Sequence, residues 1–149
     1  MTELAYPFRG SEDALDYHFK SISELKVVDK AISFRPFAEN PIFYNMALVD
    51  VVGDGVDDLA VTNNQDMSRV MATVFQTMLA FFEKYPNKLV YFKGSDEDGV
   101  RTRLYRILIA RELEKVSELF DVYGQLSGSR YEKFTLSRPY IAFIFQLKR

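Results

Sequence analysis

The chain lacks cysteine altogether, has no tryptophan and contains a single histidine, His18. The missing thiols exclude disulfides, cysteine nucleophiles and cysteine-ligated zinc or iron–sulfur sites. One histidine cannot form a histidine-rich metal cluster and leaves only one candidate for a histidine base. We therefore expect no metal and no cofactor.

Long hydrophobic runs and a strong net charge are also missing. No stretch reaches the ~18 apolar residues of a membrane-spanning helix, and residues 1–17 contain no apolar signal-peptide core. The net charge of −2 gives no overall positive field that would attract nucleic acid or an anionic membrane. The sequence predicts a cytoplasmic protein without a membrane partner, in which a polyanion could bind only at a local cluster of cations.

The chain does contain enough apolar material for one folded domain. Its 149 residues are 48% hydrophobic and 15% aromatic, which is sufficient for a core. No linker, repeat or low-complexity segment divides the sequence. We expect a single domain over residues 1–149, in which residues 1–12 form an irregular arm.

Hydrophobic periodicity predicts an α+β fold with the element order β-β-β-α-β-α-β-β. Pro36 indicates that the second strand ends or lies at a sheet edge, and Pro86 ends the first helix, whose start Asn64 or Asp66 can cap. We expect a mostly antiparallel sheet with two main helices packed on one face. The predicted strands are residues 15–23, 31–37, 43–52, 88–93, 120–123 and 140–147, and the predicted helices are residues 67–82 and 98–119.

Residues 50–61, DVVGDGVDDLAV, resemble the calcium loops of β-propeller repeats. Asp50, Asp54 and Asp58 stand where such a loop needs carboxylate ligands. A further ligand position carries Val52, which has no ligand oxygen, whereas calcium takes six to eight oxygens. A propeller also needs many copies of its repeat, and this chain has one. These observations favour a solvated turn between a strand and a helix.

Two other features have a simple structural interpretation. If Tyr17 and Phe19 face the core, His18 between them faces solvent, because side chains alternate along a strand. The methionines of the first predicted helix share its single apolar stripe, which indicates core packing rather than a pliable binding groove. These methionines are Met67, Met71 and Met78.

The segment from Tyr91 to Lys115 is the strongest candidate for a binding site. A buried strand ends at Gly94 and Ser95, and an acidic turn leads into a helix that carries Arg101. Helix N-termini expose backbone N–H groups and a positive partial charge, which together bind phosphate or carboxylate. On a helical wheel Arg101 aligns with Tyr105 in the middle of the apolar arc.

Arg101 has two interpretations. A charge in an apolar arc must be paired, because burial of a lone charge costs several kcal/mol or more. The structural interpretation is an ion pair with Glu112 or with an aspartate of the turn at residues 54–58, whereas Arg103 and Arg106 fall on a solvated strip. The functional interpretation is an anion site lined by Gly94, Ser95, Arg101 and Tyr105.

With these motifs in view, the chain resembles a family of small bacterial proteins of unknown function. The shared pattern comprises paired aspartates, an Asn/Asp helix start, and F-x-G-S ahead of R-x-R-L-Y. The acidic turn that follows Ser95 is longer here than in that pattern. The resemblance implies a bacterial origin and a single domain, but no particular reaction. The matching residues are Asp57–Asp58, Asn63–Asn64 with Asp66, Phe92–Gly94–Ser95 and Arg101–Arg103–Leu104–Tyr105.

Three functions fit these features. The one we favour is a binding module for an anionic small molecule or RNA, such as a nucleotide or an RNA end. The second is a small toxin-type ribonuclease, in which Arg101 stabilises phosphate charge and Tyr105 or His18 moves protons. The third is a protein-interaction domain or homodimer that uses aromatic strand edges or residues 131–140. A basic patch at Arg130, Lys133 and Arg138 would favour nucleic acid over a small molecule as the ligand.

Overall fold

The computed structural model describes residues 4–52, 55–57, 66–94 and 100–148. Its elements give an α+β fold with a mostly antiparallel sheet, which confirms the predicted fold class. The strands are β1 (Phe8–Gly10), β2 (Asp16–Ile22), β3 (Val27–Pro36), β4 (Phe43–Val52), β5 (Gly55–Asp57), β6 (Leu89–Phe92), β7 (Phe120–Leu126), β8 (Arg130–Lys133) and β9 (Ala142–Leu147). The helices are α1 (Met67–Lys84), α2 (Val100–Arg111) and α3 (Leu113–Leu119), with a short 3₁₀ turn at Ser127–Ser129.

The chain divides into two compact units. Unit 1 comprises residues 1–35 and 47–86, and unit 2 comprises residues 36–46 and 87–149. Strand β4 contributes residues 47–52 to unit 1 and residues 43–46 to unit 2. Among the described residues, no helix combines the length and the hydropathy needed to cross a membrane.

The strands of unit 1 follow the order β1-β2-β3-β4, with β5 folded back on β4. Both β1 and β3 pair antiparallel with β2, which sets Tyr17 opposite Ile32 and His18 opposite Ala31. Tyr17 is 2% exposed and Phe19 is 5% exposed, whereas His18 is exposed. The predicted alternation of this strand is therefore confirmed.

Helix α1 packs its apolar stripe into the core of unit 1. The Phe81 ring stacks on Phe34 of β3 with ring centroids 4.5 Å apart, and Phe34 meets the edge of Tyr17. Met71 and Met78 are buried on the same stripe, as predicted, whereas Met67 in the first turn is half-buried. Burial of each large side chain contributes roughly 1.5–3 kcal/mol, so this interface stabilises unit 1 strongly.

The strands of unit 2 follow the order β4-β6-β9-β7-β8. The β4–β6 pair is parallel, and the other pairs are antiparallel. A parallel pair needs a crossover connection, and the chain between β4 and β6 is long enough to provide one. Aromatic contacts fill the core: Phe92 stacks on Tyr105 at 4.6 Å, and Phe120 meets the edge of Phe145 at 6.0 Å.

The structure differs from the sequence prediction in several places, including β3, which begins at Val27, and β5, which pairs with β4 where a turn was expected. The helix predicted at residues 98–119 is two helices, because Glu112 leaves helical geometry (φ −105°, ψ 14°) between α2 and α3. Residues 8–10 of the segment expected to be irregular form β1, which pairs with β2. Of residues 124–130, expected to form a loop, residues 124–126 continue β7 and Arg130 begins β8, because β7 pairs with both β8 and β9, and only the turn at Ser127–Ser129 lies between the two strands.

Candidate functional site

The end of β6 meets the first turn of α2 in unit 2. The Gly94 N–H donates to Thr102 Oγ1 at 2.9 Å. A Cβ built on Gly94 would lie 2.6 Å from that oxygen and 2.9 Å from Arg101 Cβ. The close approach of the helix leaves no room for a side chain at residue 94, so glycine is required there. We call Gly94, Arg101, Thr102 and Tyr105 the α2 corner.

Arg101 and Tyr105 lie on the buried side of α2. Arg101 is 9% exposed and Tyr105 is 3% exposed, whereas Arg103 is exposed and Arg106 is half-buried. The Tyr105 ring stacks on Phe92 of β6, which fixes the helix against the strand. The helical wheel was therefore right about the burial of Arg101 and the exposure of Arg103.

The α2 corner holds three of the four residues that the sequence assigned to an anion site: Gly94, Arg101 and Tyr105. The fourth, Ser95, lies outside the described residues. His18, one of the two proton-transfer candidates of the ribonuclease hypothesis, belongs to unit 1.

The calcium hypothesis is opposed by the environment of Asp50. Its Oδ1 lies 2.5 Å from the Nζ of Lys30, and both side chains are 7% exposed, so this carboxylate belongs to a buried ion pair. Asp54 and Asp58 lie outside the described residues. Within the part of the chain that the structure describes, no group of three His, Asp or Glu side chains could hold a metal ion.

A cleft of about 850 Å³ lies in unit 1, and we call it the unit 1 cleft. It is bordered by the segment around β1, by β2 and β3, by Val51 of β4 and by Arg69 of α1. Asp29 is the one acidic residue among its described lining residues. Its basic side chains are Arg9, His18, Lys20, Lys30 and Arg69.

Arg69 is held in place at this cleft. Its guanidinium lies 4.0 Å from the centroid of the Tyr6 ring, and its Nε donates to the Leu4 carbonyl at 3.0 Å. The Tyr6 N–H donates to Thr73 Oγ1 of α1 at 2.8 Å, so the segment before β1 is tied to the same helix. A cation over an aromatic face is stabilised by the ring quadrupole, which orients the guanidinium.

Asp66 has a different role from the one predicted. It occupies the N-cap position of α1, as the sequence indicated, but its side chain makes no capping hydrogen bond. Instead its Oδ2 accepts hydrogen bonds from the hydroxyls of Tyr6 and Ser21. Burial, together with the bond to Asp66, raises the pKa of the Tyr6 hydroxyl.

The predicted basic patch of unit 2 contains a compensating acid. Arg138 makes a two-pronged ion pair with Glu132, with Nε–Oε2 and Nη2–Oε1 distances of 3.1 and 3.0 Å. The Tyr140 hydroxyl also donates to Glu132 at 2.7 Å. The hydrogen bonds from Tyr140 and Arg138 hold the pKa of the Glu132 carboxyl below its ordinary value. Arg130 and Lys133 are exposed beside this pair.

The unit 1 cleft was missed by the sequence reasoning. Its lining residues come from segments that the strand register and α1 bring together, and no short motif marks them. The one local signal was the alternation of His18 and Lys20 with buried neighbours, which places both basic residues on the same side of β2.

Residues 2–148 match DUF6934, a family of unknown function. The protein belongs to this family. Membership confirms the expected relation to a family without an assigned activity, and the DUF6934 match spans residues of both units. Comparisons with curated proteins and with solved structures returned no match.

Proposed function

We propose that this DUF6934 protein is a binding module for an anionic or phosphorylated ligand at Gly94, Ser95, Arg101 and Tyr105. The observation that carries the proposal is the burial of Arg101, 9% exposed, in the first turn of α2. A guanidinium keeps its charge at any ordinary pH, and the first turn of a helix adds a positive partial charge at the same place. Both contributions favour a phosphate or a carboxylate.

The packing of the α2 corner supports a site of fixed geometry. Gly94 has no side chain, so the strand end lies directly against the helix backbone. Tyr105, one turn after Arg101, is immobilised against Phe92. A guanidinium carried by such a rigid pair of elements loses little conformational freedom when a ligand binds.

We propose further that the protein acts in the bacterial cytoplasm. The proposal is supported by the resemblance of the motif pattern to that of small bacterial proteins, and by the lack of cysteine, which suits a compartment in which disulfides do not form.

The proposal is tested by a ¹⁵N chemical-shift titration with inorganic phosphate, adenosine 5′-monophosphate and a short RNA. Amide shifts should cluster between Gly94 and Tyr105 and should disappear in Arg101→Ala. Arg103→Ala is the matched control, because Arg103 is exposed on the same helix and should bind like the unmodified protein.

Stability measurements keep the two interpretations of Arg101 apart. If Arg101→Ala binds nothing but remains folded, and Arg101→Lys recovers part of the binding, the anion site is supported. If none of the three ligands shifts this segment and Arg101→Ala is strongly destabilised, Arg101 has a structural role and the proposal is wrong.

Self-association through unit 2 is a second candidate function. Strand β8 lies at the end of the strand order, and edge strands can pair with another chain. Tyr131 on β8 and Leu136 after it are each 56% exposed, which leaves apolar surface on the same segment. Light scattering should then detect a dimer that Tyr131→Lys dissociates, and a monomer at every accessible concentration would contradict this candidate.

A further inference from the structure

We infer that the unit 1 cleft is a second ligand site, for a small organic anion that carries a phosphate or a carboxylate on an aromatic or apolar body. This site lies within unit 1 and does not depend on the function proposed for the α2 corner. Its volume of about 850 Å³ falls in the range of roughly 300–1,000 Å³ that small-molecule sites occupy.

The charges of the cleft divide into paired and unpaired groups. Lys20 forms an exposed ion pair with Asp29 at 2.7 Å, and Lys30 forms the buried pair with Asp50. Within each pair the positive and negative charges cancel. Arg9 is not part of them, so the cleft keeps a surplus of positive charge.

Arg9 and His18 are available to a ligand. They are direct cross-strand partners in the β1–β2 pair, so their side chains lie on the same face of the sheet. Both are exposed, and neither makes a hydrogen bond or an ion pair with any residue the structure describes. Such a pair can bind an anion without first breaking an existing contact.

Arg69 adds a second guanidinium, and it is already oriented. One of its nitrogens, Nε, is used by the Leu4 carbonyl, and the group is held over the Tyr6 ring. Its two terminal nitrogens make no hydrogen bond within the described part of the chain. Guanidinium forks match the geometry of phosphate and carboxylate oxygens, so Arg9 and Arg69, which both line the cleft, are each assigned as residues that can hold the anionic group of the ligand.

The remaining lining is apolar and sets the nature of the ligand body. Phe8 and Val51 are half-buried, and Ile22 is 55% exposed. Contact with these side chains would remove apolar surface from water on both partners. A bare inorganic anion would leave this surface uncovered, so the cleft should prefer an organic anion.

The test compares ligands that separate the anionic group from the body. Adenosine 5′-monophosphate carries a phosphate on an aromatic body, phenylacetate carries a carboxylate, and inorganic phosphate and adenosine each lack one of the two parts. In a ¹⁵N chemical-shift titration, at least one of the first two should shift amides of β1 and β2. It should bind about tenfold more tightly than both phosphate and adenosine, since each part contributes separately to the affinity.

Arg9→Glu is the decisive variant, because loss of an exposed side chain that has no partner among the described residues should leave the fold intact. Its affinity for the bound anion should fall at least about tenfold, as expected when a charge-assisted contact becomes a repulsion. Arg103→Glu, the same charge change on an exposed position of α2, should have no effect. Ile22→Ser should weaken the binding of the organic anion and leave the affinity for inorganic phosphate unchanged.

Several results would overturn the inference. No shift in β1 or β2 with either organic anion, or equal binding of inorganic phosphate, would exclude the site as described. Ligand-induced chemical-shift changes of unit 1 amides that persist in Arg9→Glu would exclude an electrostatic basis for the binding. Shifts confined to residues 94–105 and lost in Arg101→Ala would support the α2 corner while rejecting the unit 1 cleft, so the two proposals fail separately.

Discussion

The two units place positive charge in opposite environments. In unit 1, Arg9 is exposed on the wall of a cleft and has no partner within the described chain. In unit 2, Arg101 is 9% exposed in the first turn of a helix. An exposed cation can bind a ligand at little cost to the fold, whereas substitution of a buried one is expected to change the packing around it as well as any ligand binding.

The same contrast occurs inside unit 1 between two ion pairs of similar length. The nitrogen–oxygen distance is 2.7 Å for Lys20 with Asp29 and 2.5 Å for Lys30 with Asp50. The side chains of the first pair are 63% and 57% exposed, and those of the second pair are 7% exposed. At similar distances the two pairs differ mainly in burial, so burial is expected to decide how much each cation contributes to stability.

The largest effect is expected for Lys30→Met. Loss of Lys30 leaves the buried Asp50 carboxylate without its cation, which should lower the free energy of unfolding by about 3 kcal/mol. Lys20→Met, the exposed control, should change it by less than about 1 kcal/mol. Urea unfolding followed by circular dichroism measures both values. Equal losses of unfolding free energy in the two variants would contradict the expectation that burial decides how much each cation contributes.

Gly94→Ala should destabilise unit 2 by about 2 kcal/mol, because its Cβ would overlap the helix backbone at Thr102 and the site would have to shift. Gly128 is the matched control. Its φ is +77°, and nothing lies within 4 Å of an added Cβ, so Gly128→Ala carries only the left-handed backbone cost of about 1 kcal/mol. A smaller loss for Gly94→Ala than for Gly128→Ala would show that the α2 corner is less closely packed than described.

Two buried tyrosines extend the comparison to neutral groups. Tyr17 of unit 1 and Tyr140 of unit 2 are each 2% exposed. The Tyr17 hydroxyl has no hydrogen bond with any described residue, whereas that of Tyr140 donates to Glu132 and accepts from the Thr135 N–H. Tyr17→Phe should therefore raise the free energy of unfolding by about 1 kcal/mol, and Tyr140→Phe should lower it by about 1 kcal/mol.

The titration of Tyr17 checks the same burial independently. Burial raises the pKa of Tyr17 from 10 to about 12, since the charged form loses its solvation. The resulting contribution to stability is present below pH 10 and is lost as the pH rises through about 12. Ultraviolet titration should show one fewer tyrosine ionising in this high pH range in Tyr17→Phe than in the unmodified protein. An ordinary pKa for Tyr17 would mean that its hydroxyl reaches solvent.

Strong periodicity explains which parts of the fold were predictable. Strand β4 begins and ends at the predicted residues because it is a largely apolar run, and α1 begins at the predicted Met67 because its apolar residues form a single stripe. The break at Glu112 was not predictable, since α2 and α3 form one continuous helical pattern without glycine or proline. Its position depends on tertiary packing.

Long-range contacts explain what the sequence could not show about the sites. The burial of Arg101 followed from local helical spacing and was predicted correctly. The unit 1 cleft needs the register that sets Arg9 opposite His18, and this register is absent from any single segment. Asp66 illustrates the same limit, because its side chain bonds to Tyr6, 60 residues away in the chain.

The smallest effect is expected for the exposed ion pair of unit 2, in which Arg138, unlike Arg9, has a partner, Glu132. Glu132 has a pKa below its ordinary 4.5 because of its bonds to Tyr140 and Arg138. Its contribution to stability is therefore present above pH 4.5 and is lost as the pH falls through the lowered value. Carbon-detected NMR titration should find the Glu132 midpoint below 4.5, and Tyr140→Phe or Arg138→Ala should raise it. An unshifted midpoint would mean that Arg138 is as free as Arg9, so that unit 2 also offers an uncompensated cation to ligands.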